Sequence, residues 1–305
     1  MTITDTAPDG TAVQFVSRKH PWRIVGVVLV LLVAAVVAVI VVTNDRFQWP
    51  VVFGYLFDPK ILSGLWMTIF LTFIAMIIGL LLGVAIAVMR VSASRTLRWS
   101  SAMYVWFFRG TPVLVQLVFW YNLGYLFPDV IIGLPWMDPW FSVETNALIT
   151  PLLAAILGLG LNEGAYLAEI IRAGILSVST GQREAATSIG MTRAQAFHRI
   201  ILPQAMRVII PPTGNETIGM LKSTSLVSVI ALSDLMYSAQ SIYSRTFEVI
   251  PLLLTASIWY LVLTSLLSVG QGRIEAHYGR GVAAEAGLSG RNGMLHMLRR
   301  TGKKA

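Results

Sequence analysis

The sequence predicts an all-α, polytopic membrane protein with six transmembrane helices and a cytoplasmic helical loop. Its composition, its apolar runs and the placement of its basic residues each predict this class. Of 305 residues, 55% are hydrophobic and only 12% are charged, and the mean hydropathy is +0.70. A soluble domain carries about 25% charged residues. This chain therefore has too few charges to cover a surface that faces water.

Six apolar runs are long enough to cross a bilayer. Each exceeds the roughly 17 residues that a tilted helix needs, and none alternates with the two-residue period of a barrel strand. Only helices and closed barrels satisfy their backbone groups in lipid, so continuous apolar runs predict helices. The predicted spans are 24–43, 62–89, 101–127, 147–171, 206–231 and 250–271.

The first run, from Ile24 to Val42, follows the basic residues Arg18, Lys19 and Arg23. A secretory signal peptide shares this pattern, but its apolar core runs only about 7–15 residues. We therefore expect an uncleaved spanning helix, with a long signal peptide as the alternative.

Basic residues fall unevenly on the two sides that six crossings define. Eighteen lie in the two terminal tails and the loops after the second and fourth spans, whereas three, Arg46, Lys60 and Arg245, lie in the opposite loops together with acids such as Asp234. Basic residues accumulate on the cytoplasmic side. We therefore expect both termini and the segment 172–205 in the cytoplasm. The net charge of +8 then reflects loop orientation, and we expect no nucleic-acid partner.

The polar segment GQREAATSIGMTRAQAFHRIILPQA, residues 181–205, carries helix start signals. Ser179 lies three residues before Gln182, and Thr192 lies three before Gln195. This is the spacing of a capping box, in which a hydroxyl and an amide satisfy two backbone N–H groups at a helix start. The segment therefore predicts two helices rather than a loose connection.

Other residues of the segment predict where those helices end. Gly190 lies where a helix C-terminus favours a left-handed residue, and Pro203 is expected to end the second helix. The prediction is a helix at 180–189, a glycine turn and a helix at 193–202. A mere connector between spans is the alternative, but a connector needs neither two caps nor a placed glycine.

The first predicted helix also carries two adjacent small residues, Ala185 and Ala186. They would give it a surface that permits close approach to another body. We therefore expect the segment to be a contact surface.

These motifs resemble those of a known family. Glu184-Ala185-Ala186, Gly190 and Leu202-Pro203 resemble the EAA loop of ABC importer permeases. Further motifs in the same order look like the polar amino-acid (histidine, glutamine and arginine) branch of that family: Phe108-Arg109-Gly110-Thr111-Pro112 with Gln116, Ala165-Tyr166-Leu167-Ala168-Glu169, Leu202-Pro203-Gln204-Ala205, Gly214-Asn215-Glu216, and Leu221-Lys222 with Thr224-Ser225-Leu226.

The resemblance implies a five-helix permease core with an added N-terminal helix. The implied domains are a cytoplasmic tail at 1–23, the extra helix and a linker at 24–57, the permease domain at 58–278 with its EAA loop at 177–205, and a basic cytoplasmic tail at 279–305. The implied function is ATP-driven uptake of a polar or charged amino acid across a bacterial plasma (inner) membrane. The implied ATPase-coupling residues are Glu184, Ala185, Ala186, Gly190, Leu202 and Pro203.

Several partners follow from the same resemblance. They are ATP-binding-cassette ATPase subunits, a second permease subunit that is identical or paralogous, an extracytoplasmic substrate-binding protein, the amino-acid substrate and membrane lipid. The chain itself has no G-x-x-x-x-G-K-[ST] phosphate loop, so we expect ATP hydrolysis on a separate subunit and no enzyme activity here. It has no cysteine, and its four histidines are scattered, so we expect no metal and no cofactor.

Ionisable groups inside apolar spans are costly, and they suggest function by default. In the fourth span, Asn162, Tyr166 and Glu169 share one helix face, and Glu163 lies near it. These groups either line a substrate path or form an interhelical hydrogen-bond cluster. Glu169 and Arg172, near the cytoplasmic end, are spaced for a structural ion pair.

The third and fifth spans contain prolines and further polar groups. Pro112 predicts a kink in the third span, and Pro211 and Pro212 weaken the fifth. Lys222 lies deep in the fifth span and pairs with Glu163, lines a gate or packs structurally. The substrate-pathway candidates are Asn162, Glu163, Tyr166, Glu216, Lys222 and Gln116. Glu163 favours a cationic amino acid.

Two sequence features leave alternatives open. The outward loop 128–146 either meets a binding protein or places Trp136 and Trp140 in the interfacial belt. An ion-gradient-driven secondary amino-acid transporter, coupled through Glu163 and Lys222, is the alternative function, although no inverted repeat typical of such folds is evident. A membrane-embedded enzyme is disfavoured because no catalytic motif is found.

Overall fold

The computed structural model describes residues 4–6, 12–14, 21–132, 136 and 140–278. The predicted basic tail at 279–305 and most of the predicted tail at 1–23 lie outside these residues. The chain divides into two compact units, one that ends at Pro50 and one that begins at Val51.

The N-terminal unit contains one long apolar helix. Strands β1 (Thr4–Thr6) and β2 (Ala12–Gln14) pair antiparallel ahead of helix α1 (Pro21–Thr43), and a 3₁₀ turn follows at Asp45–Phe47. The apolar side chains of α1 from Val25 onward are exposed around the whole helix. A helix that is apolar on every side is suited to lipid. The helix predicted at 24–43 is therefore present.

The second unit is helical apart from one hairpin. Its elements are α2 (Trp49–Tyr55, which spans the boundary), α3 (Pro59–Val91), α4 (Arg95–Gly110), α5 (Val113–Tyr121), α6 (Leu123–Leu126), β3 (Asp129–Ile132), β4 (Phe141–Glu144), α7 (Thr145–Leu148), α8 (Pro151–Ser177), α9 (Thr180–Ser188), α10 (Arg193–Ala196), a π-helical turn (Phe197–Ile201), α11 (Leu202–Ser223), a 3₁₀ segment (Thr224–Ile230), α12 (Leu235–Thr246) and α13 (Val249–Tyr278). The two short hairpins are the departure from the predicted all-α class.

Four straight helices in the described residues are long and apolar enough to cross a membrane, namely Val25–Thr43, Pro59–Val91, Pro151–Ser177 and Val249–Ala276. Two bent pairs raise the number to six if each counts as one span. The predicted number of six therefore stays a prediction, and the predicted third and fifth spans are not single helices.

The third predicted span bends far more than a proline kink. Helices α4 and α5 meet at 98°, and Pro112 lies between them in extended conformation. The Gln116 side chain donates hydrogen bonds to the Phe108 and Thr111 carbonyls at 3.0 and 3.2 Å. This buried amide satisfies carbonyls that the break releases.

The fifth predicted span is interrupted rather than ended at residue 231. After the 3₁₀ segment, Ala231 takes a left-handed conformation (φ 57°) and α12 continues at 45°. Asp234, which the sequence placed in an outward loop, is fully buried. Its carboxylate accepts from the Tyr237 backbone N–H at 2.8 Å and from the Tyr260 hydroxyl at 3.3 Å. Asp234 is therefore the N-cap of α12, a role that its sequence position did not reveal.

Helices α3 and α8 pack closely through glycines on both sides. A Cβ at Gly83 would lie 2.8 Å from Leu167 Cβ, and one at Gly164 would lie 2.9 Å from Leu82 Cβ. Such distances are too short for any residue larger than glycine. The glycines therefore let the backbones of α3 and α8 approach more closely than larger side chains would allow. This pair forms the centre of the second unit.

Candidate functional site

The segment after α8 contains the predicted glycine turn. Gly190 has φ 78° and nothing within reach of a Cβ. The capping box at the start of α10 is also confirmed. The Gln195 backbone N–H donates to Thr192 Oγ1 at 3.3 Å, and the Thr192 N–H donates to Gln195 Oε1 at 2.9 Å.

Two details of the segment were predicted wrongly. Ser179 precedes α9, but its hydroxyl makes no capping bond, because the Gln182 N–H already donates to the Ser179 carbonyl at 3.1 Å. Pro203 does not end the second helix. The chain passes from α10 through the π-helical turn at Phe197–Ile201 into α11, with Pro203 in the first turn of α11. The widened turn accommodates the missing N–H of the proline.

The predicted coupling residues differ in exposure. Glu184, Ala185 and Gly190 are exposed, as is Pro203, and Leu202 is half-buried. Ala186, by contrast, is 1% exposed, so it packs against its own chain rather than offering a surface to another body.

Ile189 was missed by sequence reasoning although it is 75% exposed. The signal that identifies it is an isolated large apolar residue in a polar segment, directly before the turn glycine. An exposed isoleucine beside Glu184 and Ala185 makes this end of α9 a small mixed surface of apolar and acidic character.

The polar residues of α8 divide into two groups. Asn162 Nδ2 donates to the Phe108 carbonyl at 2.7 Å and lies 3.4 Å from Gln116 Oε1. Both amides are buried and donate their hydrogen bonds to carbonyl groups at the α4–α5 break. For Asn162 and Gln116 the geometry favours the structural alternative, an interhelical hydrogen-bond cluster.

The second group surrounds Glu163, which is 3% exposed. Its Oε1 atom has no hydrogen-bond partner among the described residues. Glu216 on α11 lies within electrostatic range of both Glu163 and Arg109. The Arg109 guanidinium lies 4.9 Å from the centre of the Tyr166 ring. We call Arg109, Glu163, Tyr166 and Glu216 the charged cluster.

Sequence reasoning included three members of the charged cluster and omitted Arg109. A basic residue inside the predicted span 101–127 was the available signal, but only a kink at Pro112 was predicted and not a bend of 98°. The bend lets Arg109 reach the face of α8. The cluster therefore holds one cation and two carboxylates from three helices.

Lys222 lies apart from the charged cluster. It is exposed and lines a groove of about 370 Å³ with Ser225, Ser257, Tyr260 and other residues of α13. Within the described residues it forms no ion pair with Glu163, so the pair, one of the three alternatives for Lys222, is not observed.

The predicted pair of Glu169 and Arg172 is confirmed at 2.7 Å. The structure adds Arg90 of α3, which binds the other carboxylate oxygen at 2.9 Å. The Glu169 carboxylate thus binds Arg172 within α8 and joins α8 to α3 through Arg90. Among the described residues, no group of three acidic, histidine or cysteine side chains is arranged to hold a metal ion.

The loop predicted at 128–146 contains the β3–β4 hairpin, whose first pair is Asp129 with Glu144. Thr145 anchors its base, since the Thr145 N–H donates to the Pro128 carbonyl at 2.8 Å. Trp136 and Trp140 are exposed. Both predicted roles, a belt at the membrane interface and contact with a binding protein, are compatible with that exposure.

Comparison with known proteins agrees with the motifs. Residues 77–280 match the family described as "Binding-protein-dependent transport system inner membrane component". The chain is 44% identical over 265 residues to the arginine transport system permease protein ArgU of Corynebacterium glutamicum, an alignment that covers 86% of this chain and 82% of that protein. It is 40% identical to the L-cystine transport system permease protein TcyB of Bacillus subtilis, over 74% of this chain and 90% of that one.

A solved structure described as an amino acid ABC transporter with histidines is also similar. It superposes with a TM-score of 0.61 at 39% identity, covering 72% of this chain and 95% of that chain. The matches confirm the resemblance to ABC importer permeases and the multi-pass membrane fold. The chain belongs to the family of binding-protein-dependent transport system inner membrane components.

Proposed function

We propose that this permease carries a cationic amino acid, such as arginine, as the transmembrane subunit of an ATP-binding-cassette importer. The observation that supports the substrate class is the charged cluster. Its buried carboxylate with an unpartnered oxygen, and a second carboxylate nearby, favour a ligand that brings positive charge and N–H donors. The single guanidinium, Arg109, suits the α-carboxylate that every amino acid carries.

Energetics support a ligand in the cluster. A buried carboxylate that lacks a hydrogen-bond partner pays its desolvation cost without compensation. A ligand that supplies donors at Glu163 recovers part of that cost at the moment of binding. The similarity to an arginine permease agrees with this substrate class. Asn162 and Gln116 then hold the α4–α5 break in place, and Lys222 remains a pathway candidate outside the cluster.

The energy source follows from the family and from the exposed end of α9. ATP is hydrolysed on separate ATPase subunits, which dock on the surface formed by Glu184, Ala185, Gly190, Pro203 and the newly identified Ile189. Ala186 and Leu202 support that surface from within. When two docked ATPase subunits bind ATP and come together, they move α9. This movement shifts the permease between its inward-open and outward-open states.

The remaining parts of the complex follow the same proposal. A second permease subunit, identical or paralogous, completes the pathway, and an extracytoplasmic binding protein delivers the substrate. Both termini and α9 face the cytoplasm, as the basic residues predict. The fold then crosses the membrane six times, with each bent pair counted as one crossing.

Reconstitution tests the proposal directly. The permease, its ATPase subunit and its binding protein are placed in liposomes, and uptake of labelled arginine is measured against competing lysine, glutamine and glutamate. We expect uptake that requires internal ATP and that lysine reduces more than glutamate does. Uptake that survives without ATP and stops with an ionophore would instead establish the secondary transporter.

The charged cluster is tested in the same assay. Glu163→Gln keeps the size of the side chain and removes its charge. We expect it to reduce arginine uptake about tenfold or more while neutral substrates are affected less. Asp129→Asn, an exposed carboxylate on the outward hairpin, is the control for general loss of acidic charge. Equal loss in both variants would remove the cluster from the substrate path.

A further inference from the structure

The corner between α8 and α9 is closed by one arginine side chain. Helix α8 ends at Ser177 and α9 begins at Thr180. Arg183, in the first turn of α9, donates from Nη2 to the Ile175 carbonyl at 2.9 Å. The carbonyl of Ile175 belongs to the last turn of α8, whose carbonyls lack partners within the helix. The side chain of one helix therefore caps the end of the previous one.

Electrostatics favour this contact. The C-terminal end of a helix carries partial negative charge, and a guanidinium placed there is stabilising. Arg183 Nε is also buried, with no acceptor among the described residues. A buried Nε shows that the guanidinium lies inside the corner rather than extending from the segment. Its neighbour Glu184 is exposed, so of these two adjacent residues only Arg183 is turned into the corner.

Helix α9 is also held at this corner through the linker, since Val178 is buried in an apolar cluster with Ile175 of α8. It is nine residues long, and isolated helices of that length are marginal. Ala186 is buried, and the Met191 N–H donates to the Ala186 carbonyl at 3.0 Å. These contacts stabilise the far end of α9. At the near end, a two-residue linker and Arg183 set the angle.

Helix α8 leads from this corner to the transport machinery. One turn and a half before Ile175, Glu169 joins α8 to α3 through Arg90. Further along the same helix, Glu163 contributes to the charged cluster. A displacement of α9 that is transmitted through a stiff corner would therefore reach both α3 and the cluster. Through a loose corner, the same displacement would be absorbed locally.

We propose that Arg183 is a positioning residue that fastens the coupling helix α9 to the end of α8. It does not contact the ATPase subunit. Its task is to convert movement of α9 into movement of α8. This inference rests on the proposed function, because it requires an ATPase subunit docked on α9.

The first test measures the corner itself. The chain has no cysteine, so spin labels can be placed through Ala173→Cys and Thr187→Cys, both at exposed positions. We expect a narrow distance distribution with Arg183 present and a broader one in Arg183→Ala. An unchanged distribution would overturn the proposal, whatever the transport activity.

The second test separates docking from coupling. In proteoliposomes with the ATPase subunit and binding protein, we expect Arg183→Ala to retain the affinity for the ATPase subunit and its rate of ATP hydrolysis. The amount of substrate transported per ATP should fall about tenfold, the size of effect expected when a charged hydrogen bond is lost. Arg193→Ala removes the same charge from an exposed position of this segment and should leave that ratio unchanged.

A conservative variant keeps the test decisive if Arg183→Ala does not fold. Arg183→Lys retains a donor for the Ile175 carbonyl but loses the guanidinium, so its transport per ATP should lie between wild type and alanine. Full coupling in Arg183→Ala, or full loss in Arg183→Lys, contradicts the proposal. Loss of ATPase binding in Arg183→Ala would also contradict it, since Arg183 would then be a contact residue.

Failure of the underlying function gives a different pattern. Glu184→Lys and Gly190→Asp change the exposed side of α9, and they should release the ATPase subunit or uncouple its activity. If both variants bind it and transport normally, α9 is not the docking element and the proposed function is wrong. If they fail while Arg183→Ala remains fully coupled, only the inference about Arg183 is wrong.

Discussion

The α3–α8 pair and the interrupted segment, which consists of α11, the 3₁₀ segment and α12, accommodate polar groups in opposite ways. In the pair, glycines bring two uninterrupted helices together, and Glu169 is neutralised by Arg90 and Arg172. In the interrupted segment, the α-helix ends at Ser223 and resumes only at Leu235. There, hydroxyls satisfy the freed carbonyls, as when Thr224 Oγ1 donates to the Leu221 carbonyl at 2.8 Å.

This difference indicates that the fold is stiff at the α3–α8 pair and interrupted between α11 and α12. The stiff pair includes α8, the helix that leads into α9, and close packing transmits displacement. The interrupted segment holds Ala231 in a left-handed backbone conformation. It also leaves Lys222 exposed, without an ion-pair partner in the described chain. We expect α3 and α8 to move as a unit. We expect the interrupted segment to change the angle between α11 and α12.

The largest expected effect comes from breaking the close approach of the pair. Gly83→Val places a branched side chain where a Cβ would already lie 2.8 Å from Leu167 Cβ. Overpacking of this kind costs about 3 kcal/mol, so the midpoint of thermal unfolding in detergent should fall clearly.

Gly272→Val is the matched control for Gly83→Val. Gly272 lies on α13 with nothing within 4 Å of a Cβ, so the same substitution should leave the midpoint nearly unchanged. Equal loss in both variants would mean that valine itself, and not the close approach of α3 to α8, causes the effect.

A smaller effect is expected from the two ion pairs of Glu169, one of which joins the same two helices. Glu169→Ala leaves Arg90 and Arg172 without their shared carboxylate. The groups are partly exposed, with side-chain exposures of 18%, 25% and 32% for Glu169, Arg90 and Arg172, so solvent reduces the loss to about 1–2 kcal/mol. Chemical denaturation of the purified permease measures it.

A double-mutant cycle makes the Glu169 result specific. In an Arg90→Met background the loss from Glu169→Ala should be smaller, because one of the two partners is already gone. Glu144→Ala, which removes an exposed carboxylate, should change stability by less than 0.5 kcal/mol or so. Additive losses at Glu169 and Arg90 would show that the pair does not hold α3 to α8.

The smallest expected effect is an increase in stability, from a substitution in the interrupted segment. Ala231 has φ 57°, a conformation that costs an L-residue about 1–2 kcal/mol. Ala231→Gly relieves this strain but increases the freedom of the unfolded chain. We expect a net stabilisation of about 0.5 kcal/mol, measured by the same denaturation.

Gly190→Ala provides the reverse substitution at a left-handed position. Gly190 has open space around it, so only backbone strain opposes the alanine, and stability should fall by about 1 kcal/mol. If both substitutions changed stability in the same direction, left-handed strain would not explain either of them.

The sequence allowed the helices and the glycine turn to be predicted, because each depends on local signals. Apolar runs marked α1, α3, α8 and α13, and the turn at Gly190 followed from spacing alone. The bends did not follow. The angle at Pro112 depends on tertiary contacts between residues far apart in the sequence, such as the hydrogen bond from Asn162 of α8 to the Phe108 carbonyl.

The candidate site was predictable to a similar extent. Individual ionisable residues inside apolar runs stand out because charge is costly there, so Glu163 and Glu216 were found. Their partners were not, because partner choice depends on how helices rotate against one another. The sequence therefore left three alternatives open for Lys222, Arg109 was left out of the charged cluster, and Asp234 was not recognised as a cap.

Site-specific labelling tests the central claim that α9 is a cytoplasmic docking element. A single cysteine at Glu184→Cys, in a chain that has none of its own, is exposed to an impermeant thiol reagent from either side of the membrane. We expect labelling only from the cytoplasmic side, with protection when the ATPase subunit is bound. Labelling from outside the cell, or labelling that the ATPase subunit leaves unchanged, would contradict it.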